Sequence, residues 1–205
     1  MADAEKNSTV EILVGGPYKD HPYGHAALHV MTPTSDRVYD YGRYGKTWGV
    51  GNSSGEGIMQ VWTDSKAYIA EENRLNRVTT GYSFPITEEQ AKQINAYFDR
   101  QISGGCSSCG GAQPRTKTPV MTSYRLPTDY YALGPNCTTT TLSAAQIALP
   151  DIAKNAENYN KGQGLSFSEK AAARVAGWPD HIFMPADLQS MMEGETAGKA
   201  TAKRY

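Results

Sequence analysis

Two short segments joined by a polar turn constrain the fold of this chain more than any other feature. Residues 24–30 read Gly-His-Ala-Ala-Leu-His-Val, and residues 37–42 read Arg-Val-Tyr-Asp-Tyr-Gly. Alternate side chains of a strand point to opposite faces, so His25 and His29 share one face of the first segment. Residues 32–36 have the composition of a turn. The pattern predicts an antiparallel hairpin, and therefore a fold that contains an antiparallel sheet.

The rest of the chain alternates between strand-like and helix-like segments. Thr87 and Gln90 form a capping box, and the helix that it opens places Ala91, Ile94 and Phe98 on one face. Further strands are predicted at residues 10–14, 58–62, 78–84 and 120–124, and further helices at 65–75, 137–149, 168–175 and 185–192. This mixture predicts the α+β class, with an antiparallel sheet packed against helices.

Composition and charge exclude several functional classes. The 205 residues fit one domain, and neither an internal repeat nor a linker divides them. A formal net charge of -1 gives no reason to expect a nucleic-acid partner. No stretch approaches the roughly 20 apolar residues of a membrane span. We therefore expect a single domain over residues 1–205, with flexible ends at 1–8 and 194–205.

Two of the three cysteines form a CxxC motif, because Cys106 and Cys109 flank two serines within the Gly/Ser/Pro-rich segment 103–119. A zinc site would need a second pair of ligands at matching spacing, and the sequence has none. Thioredoxin-like chemistry would need the motif between a strand and a helix. The motif is interpreted as part of an exposed loop that can close a disulfide in an oxidising compartment. No metal and no cofactor is predicted.

Cys137 stands apart from that motif, in the segment Leu-Gly-Pro-Asn-Cys-Thr-Thr-Thr-Thr-Leu. The Gly-Pro pair breaks the preceding structure, and the residues that follow can begin a helix. A helix N-terminus has unpaired N–H groups and a positive dipole end, and both stabilise a thiolate, the nucleophile of cysteine catalysis. The alternative is a buried structural thiol, because free cysteine is among the most buried residue types. Cys137 is therefore a candidate nucleophile.

A catalytic cysteine needs a general base and an acceptor that orients the base, and the hairpin carries both. His25 lies at the mouth of one predicted strand, and Asp40 lies on the strand that follows. Pairing of the strands brings both to one end of the hairpin, where the carboxylate can fix the imidazole tautomer and leave one nitrogen for the thiol. His29 lies on the same face but roughly 7 Å farther along, and is the alternative base. Singly, these residues also fit structural histidines and a surface carboxylate.

The order of these residues resembles that of a known family. A Gly-His-Ala-Ala-Leu strand, an acceptor on the next strand and Asn-Cys-Thr-Thr at the start of a later helix are similar to the circularly permuted papain-like hydrolases, relatives of the NlpC-type peptidoglycan peptidases. These enzymes carry histidine before cysteine, whereas standard members carry cysteine first. The resemblance covers roughly residues 10–150. It implies a permuted papain-like fold and a single catalytic domain with Cys137 as nucleophile, His25 as base and Asp40 as the orienting residue.

A narrower resemblance concerns residues 24–29 and 39–45, together with an N-terminus that lacks the apolar core of a signal peptide. These features look like amidase effectors of the type VI secretion system. The resemblance implies a cysteine amidase or endopeptidase that cleaves peptide-stem amide bonds of bacterial peptidoglycan. Such a protein is made in the cytoplasm, exported with a secretion-system carrier, active in the periplasm of a target cell and neutralised by an immunity protein. Arg43, Tyr44 and Trp48 are candidates for lining the cleft.

Two other classes of function fit the same residues. A thioester at Cys137 can pass its acyl group to an amine, as in an acyltransferase, and the same nucleophile suits a deamidase or protease that acts on a protein target. In a non-enzymatic binding protein, Cys137 would be a buried thiol and His25 a structural histidine. The rate at which iodoacetamide labels Cys137 at neutral pH separates an activated thiol from an inert one.

Overall fold

An antiparallel sheet of eight strands forms the centre of the structure, with helices on both of its faces. The computed structural model describes residues 5–19, 21–104, 112, 114–195 and 198–205. The strands, in chain order, are β1 (Ser8–Gly15), β2 (His25–Thr32), β3 (Ser35–Gly42), β4 (Thr47–Trp48), β5 (Ser54–Gly55), β6 (Ile58–Trp62), β7 (Thr79–Ile86), β8 (Pro114–Lys117), β9 (Met121–Arg125), β10 (Tyr130–Tyr131) and β11 (Thr201–Arg204). The helices are α1 (Ser65–Arg74), α2 (Glu88–Ile102), α3 (Cys137–Ala148), α4 (Phe167–Gly177) and α5 (Pro185–Glu195). The predicted α+β class is confirmed.

The predicted hairpin lies near the middle of the large sheet. The strand order is β11-β7-β1-β2-β3-β6-β9-β8, and neighbouring strands run antiparallel. β2 and β3 pair with Leu28 opposite Tyr39 and Thr32 opposite Ser35. Because helices cover both faces, β2 is buried over the six consecutive residues from His25 to Val30. The hairpin can therefore hold titratable side chains away from water.

The two faces of the sheet bury different amounts of apolar surface. α2, α3 and α5 pack on the face that carries Ile12, Leu28 and Phe84, and this layer holds the main hydrophobic core. Within it, the Phe98 ring of α2 stacks on Tyr39 with ring centroids 4.0 Å apart. Full burial of one such side chain stabilises the fold by about 1.5–3 kcal/mol. α1 covers part of the opposite face through a smaller cluster of Leu13, Ala27, Val38, Trp62 and Tyr68.

The C-terminal segment closes one edge of the sheet, although residues 194–205 were expected to be flexible. Thr201–Arg204 form β11 and pair with β7, and the Tyr205 hydroxyl donates a hydrogen bond to Glu11 over 2.9 Å. A strand was not predicted here, because backbone hydrogen bonds hold an edge strand and a polar sequence such as Thr-Ala-Lys-Arg does not reveal them. Ser8, also within an expected flexible end, is buried at the start of β1.

Smaller differences concern a proline and a loop. Pro85, expected to end a strand, lies inside β7 opposite Thr9. β11 pairs with β7 only as far as Ser83, so Pro85 lies where β7 has one neighbour, a position that tolerates a missing N–H. Part of the expected loop at 103–119 forms β8, which pairs with β9. The CxxC cysteines, Cys106 and Cys109, and residues 1–4 lie outside the described residues.

Candidate active site

The start of α3 is fixed by a capping box that sequence reasoning missed. Asn136 is the N-cap residue, and its side chain accepts a hydrogen bond from the Thr139 N–H over 3.0 Å while Thr139 Oγ1 accepts from the Asn136 N–H over 2.8 Å. The Asn136 amide also donates to the carbonyls of Ala132 (2.7 Å) and Phe183 (3.0 Å). Asn136 is buried, so these bonds form away from water and rigidly orient the next residue, Cys137, at the first helical position.

Cys137 is buried, yet its surroundings favour the thiolate. The residue is 3% exposed, and the Tyr130 hydroxyl lies 3.5 Å from its Sγ. Burial alone would raise the pKa of the thiol. The positive charge of His25, together with hydrogen bonds from His25, Tyr130 and the Ala26 N–H, outweighs burial and lowers the pKa of Cys137 to about 7. A structural thiol in an apolar pocket would show the opposite shift.

His25 begins β2 and faces Asp40 on β3. Its Nε2 lies 2.5 Å from Asp40 Oδ1, so Nδ1 is the ring nitrogen that remains for the thiol. Burial opposes protonation, but the charges of Asp40 and of the Cys137 thiolate raise the pKa of His25 well above 6.5. Gly24 makes this entry possible: its φ is +75°, and a Cβ there would lie 2.7 Å from the Gly15 carbonyl oxygen. The predicted partners are therefore brought together.

Tyr44 completes the environment of the carboxylate. Its hydroxyl lies 2.9 Å from each oxygen of Asp40 and 3.3 Å from His25 Nε2. Although Tyr44 is 45% exposed as a whole, burial of the hydroxyl and the Asp40 charge hold its pKa well above the usual 10.0. Tyr44 therefore stays protonated and donates a hydrogen bond to the carboxyl group of Asp40. The ring lies over Gly42, where a Cβ would be 2.6 Å from it. Sequence reasoning had placed Tyr44 only in the lining of a cleft.

A buried ion pair lies behind the hairpin on the α1 face of the sheet. Arg77 Nη1 lies 3.0 and 2.7 Å from the two carboxylate oxygens of Glu72, and both residues are 5% exposed. Burial raises the pKa of Glu72, whereas the charges of His25 and Arg77 oppose that effect. The pair thus contributes to the electrostatic field at His25. Glu72 and Arg77 are far from His25 in the sequence, so the sequence pattern could not predict that they lie near it.

His29 is held by two carboxylates and does not serve as the alternative base. Its Nδ1 lies 2.8 Å from Glu11 Oε2, and its Nε2 lies 2.8 Å from Asp36 Oδ1. Asp36 in turn accepts from the main-chain N–H and the hydroxyl of Ser65 at the start of α1 (3.2 and 2.9 Å). Because both ring nitrogens are occupied, neither is free to take a proton from a thiol. His29 instead connects β1, the start of β3 and α1.

The described residues contain neither a candidate metal site nor a candidate membrane span. No group of three or more His, Cys, Asp or Glu side chains among the described residues is arranged to hold a metal ion. Within the same residues, no helix is both long enough and apolar enough to cross a membrane. Cys137, His25 and Asp40 form a buried cluster of a thiol, an imidazole and a carboxyl group.

Comparison with known proteins gives no relative from which roles could be assigned to these residues. No protein-family model matches the chain, and searches of curated proteins and of solved structures give no match. Tyr130 and Tyr44 therefore have to be assigned from their contacts alone. Of the residues that sequence reasoning missed, only Asn136 had a usable signal, because Asn followed three residues later by Thr139 fits a helix-capping pattern.

Proposed function

We propose that this protein is a cysteine hydrolase with Cys137 as nucleophile, His25 as general base and Asp40 as the residue that orients the imidazole. The observation that carries the proposal is the Cys137 thiol at the start of α3, where its pKa is lowered to about 7 by an imidazole whose far nitrogen is 2.5 Å from a buried carboxylate. A nucleophile that is hydrogen-bonded to a base, which is in turn hydrogen-bonded to an orienting group, is typical of an activated nucleophile.

The proposed reaction begins with proton transfer from Cys137 Sγ to His25 Nδ1. The thiolate attacks the carbonyl carbon of an amide. The resulting oxyanion accepts a hydrogen bond from the Tyr130 hydroxyl and replaces that hydroxyl as the acceptor of the Cys137 N–H. His25 then gives its proton to the nitrogen of the leaving amine as the C–N bond breaks. Water, deprotonated by His25, attacks the thioester, releases a carboxylic acid and restores Cys137.

Tyr130 is assigned to the oxyanion because of the two groups that it touches. Its hydroxyl lies 3.5 Å from Cys137 Sγ. Burial raises the pKa of Tyr130 well above 10.0, and a hydrogen bond from the Cys137 N–H acts in the opposite direction. The phenol therefore remains protonated beside the position where negative charge develops. One oxyanion donor contributes about 10²–10³ to kcat, and a positioned acid–base group about 10²–10⁴.

The layout supports a permuted papain-like fold of the NlpC type. The histidine lies on a central antiparallel strand, the acceptor lies on the next strand, and the cysteine begins a later helix, α3, that packs on β2. This is the order that the sequence resemblance implies. The described residues form a mixed α+β fold with a large antiparallel sheet, and the permuted papain-like arrangement is proposed for it.

The proposed substrate is a peptide-stem amide of bacterial peptidoglycan, and the proposed role is that of an antibacterial type VI secretion effector. The support is the resemblance of residues 24–29 and 39–45 to such amidases. In this role the protein is made in the cytoplasm and delivered to the periplasm of a target cell. Its partners would be a secretion-system carrier and an immunity protein.

Digestion of purified peptidoglycan tests the proposal. Wild type should create new amine and carboxyl ends that mass spectrometry of the fragments detects, and Cys137→Ala should create none. His29→Gln is the matched control, because His29 lies on the same strand but outside the site, and this variant should keep its activity. The absence of new ends with folded wild type would refute the cell-wall assignment.

Expression in two compartments separates the cell-wall target from a protein target. Wild type carrying an added periplasmic signal should be toxic to bacteria, whereas the same chain confined to the cytosol should be harmless. Toxicity from the cytosol that Cys137→Ala abolishes would instead favour a deamidase, acyltransferase or protease that acts on an intracellular protein.

A further inference from the structure

The small sheet made of β4, β5 and β10 has one face directed at the thiol. Tyr130 lies opposite Gly55, and Gly55 lies opposite Thr47, so these three residues share a face. The Tyr130 hydroxyl on this face contacts Cys137 Sγ. Whatever else lies on the same face is therefore close to the reacting atoms.

Arg43 lies on that face and covers Tyr130. Its guanidinium carbon is 5.6 Å from the centroid of the Tyr130 ring, and its Cγ lies 3.5 Å from the position of a Cβ on Gly55. Arginine over an aromatic face keeps its charge and its N–H groups available at the edge of the ring. Arg43 is half-buried, so its charge is only partly exposed to water.

Among the described residues, Arg43 lacks the carboxylate partner that the neighbouring arginines have. Arg115 and Arg125 both pair with Glu56, and Arg125 also pairs with Asp129. No Asp or Glu oxygen of the described chain lies within 4.0 Å of the Arg43 guanidinium. Its charge acts on the phenols of Tyr23 and Tyr130, where it opposes the rise of their pKa.

We propose that Arg43 binds a carboxylate of the substrate, close to the amide that Cys137 attacks. Guanidinium and carboxylate form two parallel N–H···O bonds, which fix orientation as well as charge. The contacts through Tyr130 limit the distance between the Arg43 guanidinium carbon and Cys137 Sγ to about 12 Å, or three to four residues of extended peptide. This inference rests on the proposed hydrolase and narrows its substrates to amides with a free carboxylate within that span.

The alternative is that Arg43 only packs against Tyr130. If Arg43 only packs, its effect depends on the contact between its methylene groups and the Tyr130 ring. If Arg43 binds the substrate carboxylate, which we call its receptor role, its effect depends on its positive charge and on the presence of an anion. Arg43→Lys keeps the charge, and Arg43→Gln removes it. Arg100→Gln, an exposed position on α2, is the matched control because it changes the net charge of the protein equally.

The first experiment compares two alkylating reagents that differ by one charge. Iodoacetamide is neutral, and iodoacetate carries a carboxylate; each forms a C–S bond at Cys137 and releases iodide. The measured quantity is the ratio of the iodoacetate rate to the iodoacetamide rate, in a Cys106→Ser, Cys109→Ser background so that one thiol reports. Both rates are measured on the same variant. A change in the pKa of the thiol therefore alters both rates by the same factor and leaves their ratio unchanged.

The receptor role predicts that Arg43→Gln lowers this ratio by about threefold or more, the effect of one charge several ångströms away in a partly aqueous site. Arg43→Lys should retain most of the ratio, and Arg100→Gln should retain all of it. The difference between wild type and Arg43→Gln should shrink when salt rises from about 0.02 to about 0.5 M. Equal ratios for wild type and Arg43→Gln at low salt would overturn the proposal.

The second experiment compares stem-peptide fragments with free and amidated carboxyl groups. Wild type should cleave the free form with the higher kcat/KM, mainly through KM, and Arg43→Gln should lose the preference. If wild type cleaves neither form while the alkylation ratio still depends on Arg43, the hydrolase proposal fails and the anion site stands. If both forms are cleaved equally and the ratio is unchanged in Arg43→Gln, the anion site fails and the hydrolase stands.

Discussion

Replacing His25 by glutamine tests the origin of the reactivity of Cys137. The thiol has a pKa of about 7 in place of 9.0, and His25 supplies the charge that lowers it. A difference of two units corresponds to about 3 kcal/mol of preferential stabilisation of the thiolate. In His25→Gln that charge is lost while a polar side chain remains, so the pKa of Cys137 should return to 9.0 or above. At pH 7 the thiolate fraction should then fall from about one half to about 1%.

The rate of alkylation should change less than the thiolate fraction, because a more basic thiolate is a better nucleophile. With a Brønsted coefficient of about 0.4–0.5, two pKa units increase the intrinsic rate about eightfold. His25→Gln should therefore react with iodoacetamide about sixfold more slowly than wild type at pH 7. At pH 10, where both thiols are mostly ionised, the same variant should react about sevenfold faster.

This crossing of the two pH–rate curves is the decisive result. The assay follows iodoacetamide labelling by intact mass between pH 5 and pH 10.5, in the Cys106→Ser, Cys109→Ser background. His29→Gln, on the same strand, should keep the wild-type midpoint near 7 because His29 does not contact the thiol. A Cys137 curve that is identical in wild type and folded His25→Gln would show that His25 does not activate the thiol. Addition of Asp40→Asn removes the carboxylate that His25→Gln leaves unpaired, and the crossing should persist.

Three further changes have defined outcomes. Asp40→Asn should lower kcat/KM about 10²-fold or more on a cleaved substrate, and should lower the pKa of the facing imidazole in an NMR titration. His29→Gln should reduce the free energy of unfolding by about 2–4 kcal/mol at pH 5.5 and by less at pH 9, measured by urea denaturation. Gly15→Ala should cost about 1–3 kcal/mol, because its Cβ would lie 2.3 Å from Arg77 Cδ, whereas Gly16→Ala meets its nearest atom at 3.5 Å and should cost little.

The pH dependence expected for His29→Gln follows from the direction of two pKa shifts. Burial opposes protonation of His29, but Glu11 and Asp36 raise its pKa above 6.5. The contribution of His29 to the free energy of unfolding is therefore complete below pH 6.5 and is lost as pH rises through the raised pKa. His29 lowers the pKa of Glu11 below 4.5 against the effect of burial, so that contribution is lost as pH falls through the lowered value. A loss of stability equal at pH 5.5 and pH 9 would contradict this account.

The other two changes have equally clear contrary results. An unchanged kcat/KM in folded Asp40→Asn would remove the carboxylate from the mechanism. Equal stabilities of Gly15→Ala and Gly16→Ala would show that Arg77 can move away at no cost, and that its ion pair with Glu72 is not rigid.

The hairpin with His25 and Asp40 could be predicted because it depends on local rules. Strand alternation places both side chains on one face, and a short turn brings the strands into antiparallel pairing. The start of a helix at Cys137 could be predicted for the same reason, since a Gly-Pro break acts within a few positions. These features lie in contiguous segments, so the sequence pattern carries them.

Tyr130 could not be predicted, because its position depends on long-range pairing. Tyr130 precedes Cys137 by seven residues, but β10, which carries it, is held by pairing with β5, more than 70 residues earlier in the chain. Strands of two residues have no alternation to detect. β11 was missed for a related reason: its pairing with β7 uses backbone groups that every sequence possesses.

The central claim is that Cys137 and His25 form a thiolate–imidazolium pair supported by Asp40. ¹³C NMR of protein labelled at cysteine Cβ and histidine Cε1 measures both ionisations in the unmodified wild-type chain, with Cys137→Ala identifying the signal of Cys137. The account predicts a Cys137 midpoint of about 7 and a His25 midpoint well above 6.5, so that the charged pair is populated between the two. A Cys137 thiol that stays protonated up to pH 9, beside a neutral His25, would contradict it.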